Sequence, residues 1–128
     1  LLANAIDALD VWVEHATTDW QPTIWITTQA EQSQASETDD DCDWVQVRVV
    51  SNGGSISEQV REKIFDPFFT TKPVGKGTGL GLSISYQIAT EGHGGQLLCL
   101  PCEDERAEFV LRLPVTPPDF LRHGNGES

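Results

Sequence analysis

Methionine is absent from this 128-residue chain, cysteine occurs three times, tyrosine once, and eight Lys and Arg face twenty Asp and Glu. Each scarcity excludes something. A formal net charge of −12 argues against nonspecific binding to nucleic acid or to an anionic membrane surface. An odd, small number of cysteines does not make a disulfide framework and fits a reducing compartment, so a cytoplasmic location is expected. No apolar run approaches the length of a membrane span, and no signal peptide is visible. No internal repeat is apparent. The chain opens inside an apolar pattern without an initiator methionine, and it is read as a piece of a longer protein.

What is present is enough for one folded domain. Hydrophobic residues make up 38% of the chain and tryptophan occurs four times. The most informative stretch covers residues 65–82, FDPFFTTKPVGKGTGLGL. Its first part is aromatic and ends in Lys72. Its second part, from Gly75, is glycine-rich and runs straight into a helical pattern. Glycines let backbone N–H groups crowd around an anion, and the first turn of a helix adds further donors. Lys72 and Lys76 supply mobile positive charge in an otherwise acidic chain, which points to a polyphosphate site. Two familiar phosphate loops fail here. A GxGxxG register needs a third glycine at Leu80, Leu82 or Ile84, and a P-loop needs Ser or Thr where Gly77 follows Lys76.

The remaining chain reads as alternating helices and strands. Leu2, Ile6, Leu9 and Val13 recur at helical spacing, which predicts a helix over residues 2–14, with Asn4, Asp7 and Val11 on another face. Residues 22–29 and 44–50 alternate apolar and polar, predicting two antiparallel strands. The acidic loop between them lacks the spacing and glycine of an EF-hand and reads as a solvated hairpin loop. Ser57 caps a short helix whose buried face carries Val60 and Ile64, and Asp66-Pro67 ends it. Phe65, Phe68 and Phe69 read as a hydrophobic anchor. Leu80, Ile84 and Ile88 predict the buried stripe of a third helix ending near Glu91. A turn at residues 92–95 follows, then strands at 96–101 and 107–114. Cys99 and Cys102 form a CxxC, but inside a strand-like run and without a second pair, so neither a redox nor a zinc site is read. The pattern predicts an α/β (α+β) two-layer sandwich over residues 1–115, with a polar tail at 116–128.

FDPFFTTK followed by GKGTGLGLSIS resembles the F box, ATP lid and G2 box of sensor histidine kinases, whose catalytic domain shares a superfamily with Hsp90, DNA gyrase and MutL. LLANAIDAL is similar to the end of that family's N box, and the segment from Ser51 to Ile56 stands where its G1 box belongs. The resemblance implies a mixed, largely antiparallel sheet with three helices on one face, ATP and Mg²⁺ as cofactors, and a phosphoacceptor histidine on a separate dimerisation domain of the parent kinase. A response regulator would act downstream. It implies Asn4 as the Mg²⁺ ligand and, with Lys72, as the catalytic pair. Nucleotide contacts are implied at Ser51, Gly53, Ser55, Ile56, Lys72, Lys76, Gly77, Thr78, Gly79, Leu80, Gly81 and Leu82. It also implies that His93 is a turn residue and not a phosphoacceptor.

The G1 box departs from the family pattern, Asp-x-Gly-x-Gly. Ser51 stands at the Asp and Ser55 at the second glycine, while Gly53 is kept. In the family the Asp accepts a hydrogen bond from the adenine amino group. A neutral hydroxyl in its place is expected to weaken ATP by about 1.5–3 kcal/mol, or one to two decades. Ser55 carries a Cβ where a left-handed backbone is expected to strain it. The alternative reading is a degenerate, pseudokinase-like module that keeps the fold and acts through protein contacts.

Overall fold

A computed structural model describes residues 1–31, 43–70 and 79–115. Its elements are helix α1 (Leu2–Trp12, with a 3₁₀ turn at Val13–His15), strands β1 (Ile24–Glu31) and β2 (Trp44–Ser51), and helix α2 (Glu58–Arg61). Helix α3 (Gly81–Gln87) follows and widens into a π turn (Ile88–Gly92). Strands β3 (Gln96–Leu100) and β4 (Ala107–Pro114) complete the order. These elements match the sequence reading in kind and order, with most ends displaced by one or two residues; α2 is shorter than expected and stops at Arg61, before Ile64 and Asp66-Pro67. The tail at 116–128 lies outside the described residues.

The four strands form one sheet in the order β1-β2-β4-β3, and every pairing among the described residues is antiparallel. The expected mixed sheet is therefore corrected to an antiparallel one. The connection from β2 to β3 carries α2 and α3 and skips one place. Strand β4 returns by a short turn into that gap, so two strands of like direction never touch.

Strand alternation gives the sheet two chemically different faces. Val45, Val47, Val49 and Ser51 share one face with Ala107 and Phe109 of β4 and Leu97 and Cys99 of β3. Val49, Leu97, Ala107 and Phe109 are buried there under the helices. The other face is a ladder of charge and aromatic pairs. Arg48 reaches Glu108 at 2.7 Å, Arg112 reaches Glu31 at 2.8 Å, and Arg112 and Arg106 lie over the rings of Trp44 and Trp25.

The helices pack through small residues, which overturns two predicted stripes. Leu2, Ile6 and Val13 are exposed, and the buried residue of α1 is Ala5. Ile84 and Ile88 are also exposed, whereas Ser83 and Ala89 are buried. Backbones approach closely only where side chains are short. A Cβ on Gly53 would stand 2.8 Å from the carbonyl carbon of Ala8, so the face of α1 carrying Ala8 meets the loop after β2 nearly backbone to backbone. In α3, the Ser83 hydroxyl donates to Leu80 O at 2.9 Å and so is satisfied within its own turn.

Candidate functional site

One face of α1, the end of β2, the loop after it, α2 and the start of α3 enclose a cavity of about 580 Å³. That volume suits a nucleotide-sized ligand. Asn4, Asp7 and Val11 line it, so the face of α1 set apart from its apolar stripe is the one that looks into the cavity. The sheet contributes Val49, Ser51, Ala107 and Phe109, all from the helix-covered face. Ser51 is only 3% exposed. It is buried because the register places it beside Ile24 on one side and Ala107 on the other.

The loop after β2 is held from several directions. The Asn52 side chain accepts from Thr23 N at 2.9 Å and donates to Gln21 O at 2.8 Å. The Trp20 indole N–H donates to the Asn52 carbonyl at 3.1 Å. Asn52 is therefore turned away from the cavity and ties the loop to the segment entering β1. The amide of Gly54 donates to the Glu105 carbonyl at 2.9 Å, joining the loop to the turn before β4.

The left-handed residue of this loop is Gly54, with φ +100° and the Trp12 ring packed against it. Ser55 is not among the residues with positive φ. The strain expected at Ser55 is thus absent, because the glycine one place earlier takes the demanding conformation. Ser55 and Ile56 line the cavity, and the Ser57 hydroxyl accepts from Val60 N at 3.2 Å, capping α2 as the sequence suggests.

The lid-side rim is built by Phe69, Thr70, Gly79, Gly81 and Leu82. Leu80 is not among the lining residues. Lys72, Lys76, Gly77 and Thr78 fall outside the described residues. The aromatic anchor divides in three. Phe65 stacks on Tyr86 with ring centroids 5.1 Å apart and meets Phe109 edge-on at 6.3 Å. Phe69 faces the cavity, and Phe68 is 73% exposed with φ +66°. The anchor is therefore Phe65, and Phe68 is corrected from a packed residue to a surface one. Its amide donates to the Gly79 carbonyl at 2.8 Å, so the two ends of the intervening segment are pinned together.

Asp7, Val11, Gly54, Phe69 and Thr70 also line the cavity, although the sequence reading gave them no site role. For Asp7 and Val11 the signal was present, since they share a helical face with Asn4. The other two features of chemical interest stand apart from the cavity. His93 is exposed in the turn after α3. Cys99 lies half-buried on the helix-covered face of β3, and burial raises its thiol to about 11 against a smaller opposing pull from Arg61. Among the described residues no group of His, Cys, Asp and Glu is arranged to hold a metal ion by itself. No helix among them is long and apolar enough to cross a membrane.

The chain has counterparts among known proteins. Residues 1–117 match the family model for histidine kinase-, DNA gyrase B-, and HSP90-like ATPases. The chain is 49% identical over 75 residues to the two-component sensor PprA of Pseudomonas aeruginosa, and 52% identical over 74 residues to the sensor kinase CckA of Brucella abortus. These alignments cover 59% and 58% of this chain but 8% of each relative. Among solved structures, the catalytic domain of histidine kinase ThkA superposes with a TM-score of 0.57 at 36% identity, covering 89% of this chain and 69% of that one.

Proposed function

The chain belongs to the histidine kinase-, DNA gyrase B-, and HSP90-like ATPase family, in its sensor histidine kinase branch, and on that premise we propose that it binds MgATP and directs the γ-phosphoryl group to a histidine on a separate dimerisation domain. One observation carries the reading. Asn4 from α1, Ser51 from the end of β2, Gly53 from the loop after it, and Gly79 and Gly81 from the lid-side rim all border the same cavity. These residues come from the N, G1 and G2 boxes, far apart in sequence.

The residues present suit such a ligand. The cavity has an apolar sheet wall for a base and a glycine-bordered rim from which Lys72 and Lys76 depart in sequence. Bound MgATP supplies the transferable phosphoryl group and the divalent charge. Asn4 offers an amide oxygen, a hard ligand of the type Mg²⁺ accepts alongside phosphate oxygens and waters. Lys72, Lys76 and Thr78 neutralise and hold the phosphates. The first-turn amides of α3 need partners from outside the helix, and those of Gly81 and Leu82 belong to residues that border the cavity. The chain's contribution is positioning and electrostatic stabilisation, since phosphoryl transfer asks for little covalent chemistry from the protein. The nucleophile comes from the dimerisation domain of the same parent kinase, so this chain alone does not phosphorylate itself. A response regulator receives the group afterwards. The domain works in the cytoplasm, where ATP is available.

The test is reconstitution. Mixed with the parent kinase's dimerisation domain and MgATP, the chain is expected to give acid-labile phosphate on that domain. Asn4→Ala is expected to abolish it while the chain stays folded. Absence of transfer by a chain that binds ATP would contradict the catalytic reading.

One observation favours a second reading. The buried wall position carries the neutral Ser51 in place of a carboxylate. A module that binds ATP weakly or not at all, and acts through protein contacts, would have this site. The pair Ser51→Asp with Ser55→Gly separates the two. Strong ATP binding restored by that pair would mean that the natural site lacks only its base contact.

A further inference from the structure

We infer that the nucleotide site of this chain does not select adenine, and accepts purine nucleoside triphosphates whether position 6 of the base is an amino or an oxo group. The inference rests on the reading of the cavity as a nucleotide site and concerns how that site chooses its base.

Among the described residues, the buried polar side chains are Ser51 and Ser83. Ser83 is bonded to Leu80 O within α3 and does not line the cavity. Ser51 is therefore the buried polar side chain on the cavity wall. On the wall with it, Val49, Ala107 and Phe109 come from the sheet and Ala5 and Ala8 from α1, all with apolar side chains. The other polar lining residues, Asn4, Asp7, Ser55, Ser57 and Thr70, belong to α1, the loop after β2 and the lid-side rim. The residue that follows Ser51 in the chain, Asn52, has both side-chain functions engaged by Thr23 and Gln21 and does not line the cavity. A flat base, apolar on both faces, suits this wall, while the triphosphate suits the rim bordered by Gly79 and Gly81.

Base choice at such a wall follows from donors and acceptors. The 6-amino group of adenine donates, and the 6-oxo group of hypoxanthine or guanine accepts. A carboxylate accepts only, so it favours the first and repels the second. A serine hydroxyl both donates and accepts, because its proton rotates to suit its partner. Ser51 satisfies either edge with one rotation of its O–H. It is also neutral, so it sets no charge against an oxo group.

The test uses the complete 128-residue chain and a fluorescent trinitrophenyl-ATP probe. The probe is displaced by ATP or by inosine triphosphate, which exchanges the adenine amino group for an oxo group without adding a 2-amino group. Natural chain is expected to bind the two within about fivefold of each other, and Ser51→Asp to shift the ratio toward ATP by about tenfold or more. Circular dichroism checks that both are folded. An ATP preference beyond about fivefold in the natural chain would overturn the inference and leave nucleotide binding intact. An unchanged ratio in Ser51→Asp would overturn the assignment to Ser51. If a folded natural chain releases the probe to neither nucleotide at millimolar concentration, both this inference and the nucleotide reading fall.

Discussion

Phe68 and Gly79 are eleven residues apart and share a hydrogen bond, Phe68 N to Gly79 O at 2.8 Å. Gly79 holds φ +71°, and a Cβ there would collide with the carbonyl group of Phe68. Phe68 and Gly79 are thus held together, with Gly79 on the rim of the cavity.

Gly79→Ala is expected to break this closure. An alanine at that φ costs about 1–2 kcal/mol before the collision is counted. Nucleotide affinity should fall by about tenfold or more, with a smaller loss of global stability. Calorimetric titration beside a urea melt separates the two effects.

Gly53→Ala tests the close approach of α1. Its Cβ would meet Ala8 C at 2.8 Å and Leu9 N at 2.9 Å, both backbone atoms that cannot rotate away. A loss of about 2 kcal/mol or more is expected in the urea midpoint, because α1 must move off the sheet. Gly81→Ala is the control, since nothing lies within 4 Å of a Cβ there.

Asn52→Ala removes the side-chain bonds to Thr23 and Gln21. A loss of about 1–3 kcal/mol is expected, because both partners are backbone groups left in need of replacements. Asn52→Asp keeps the acceptor toward Thr23 N and loses the donor toward Gln21 O, so its thermal midpoint should fall between the other two.

The Cys99 thiol, raised to about 11 by burial, makes stability fall at high pH. In the window between the ordinary thiol value and about 11, the unfolded chain releases this proton and the native chain keeps it. The thiol's contribution is complete below that window and is lost as pH rises through it. The difference in urea midpoint between the natural chain and Cys99→Ala should therefore change across these pH values and stay constant below them. Iodoacetamide should label Cys99 slowly at pH 8 in the native state and readily in urea.

How much of this was legible in the sequence depends on what each residue's role required. The first two strands announced themselves because residues 22–29 and 44–50 alternate, and alternation has one structural meaning on a half-buried sheet. Asn4, Asp7 and Val11 could be placed on one helical face by spacing alone. The predicted apolar stripes failed because α1 and α3 are seated by Ala5, Ser83 and Ala89, and small residues carry little hydrophobic signal. Gly54 escaped notice for a related reason. A glycine in a Gly-Gly pair does not say which of the two must be left-handed, and only the Trp12 ring and the bond to Glu105 O decide it. The antiparallel pairing of β1 with β2 was expected, but the insertion of β4 between β2 and β3 was hidden, because strand order is a long-range property that no local pattern records.

The central claim is that the cavity bordered by Asn4, Ser51 and Gly79 is a MgATP site. Calorimetric titration of the folded chain with a non-hydrolysable ATP analogue, with and without Mg²⁺, tests it most directly. Saturation in the micromolar to tens-of-micromolar range, strengthened by Mg²⁺ in the natural chain but not in Asn4→Ala, is the predicted result. No heat at millimolar analogue from a folded chain would contradict it.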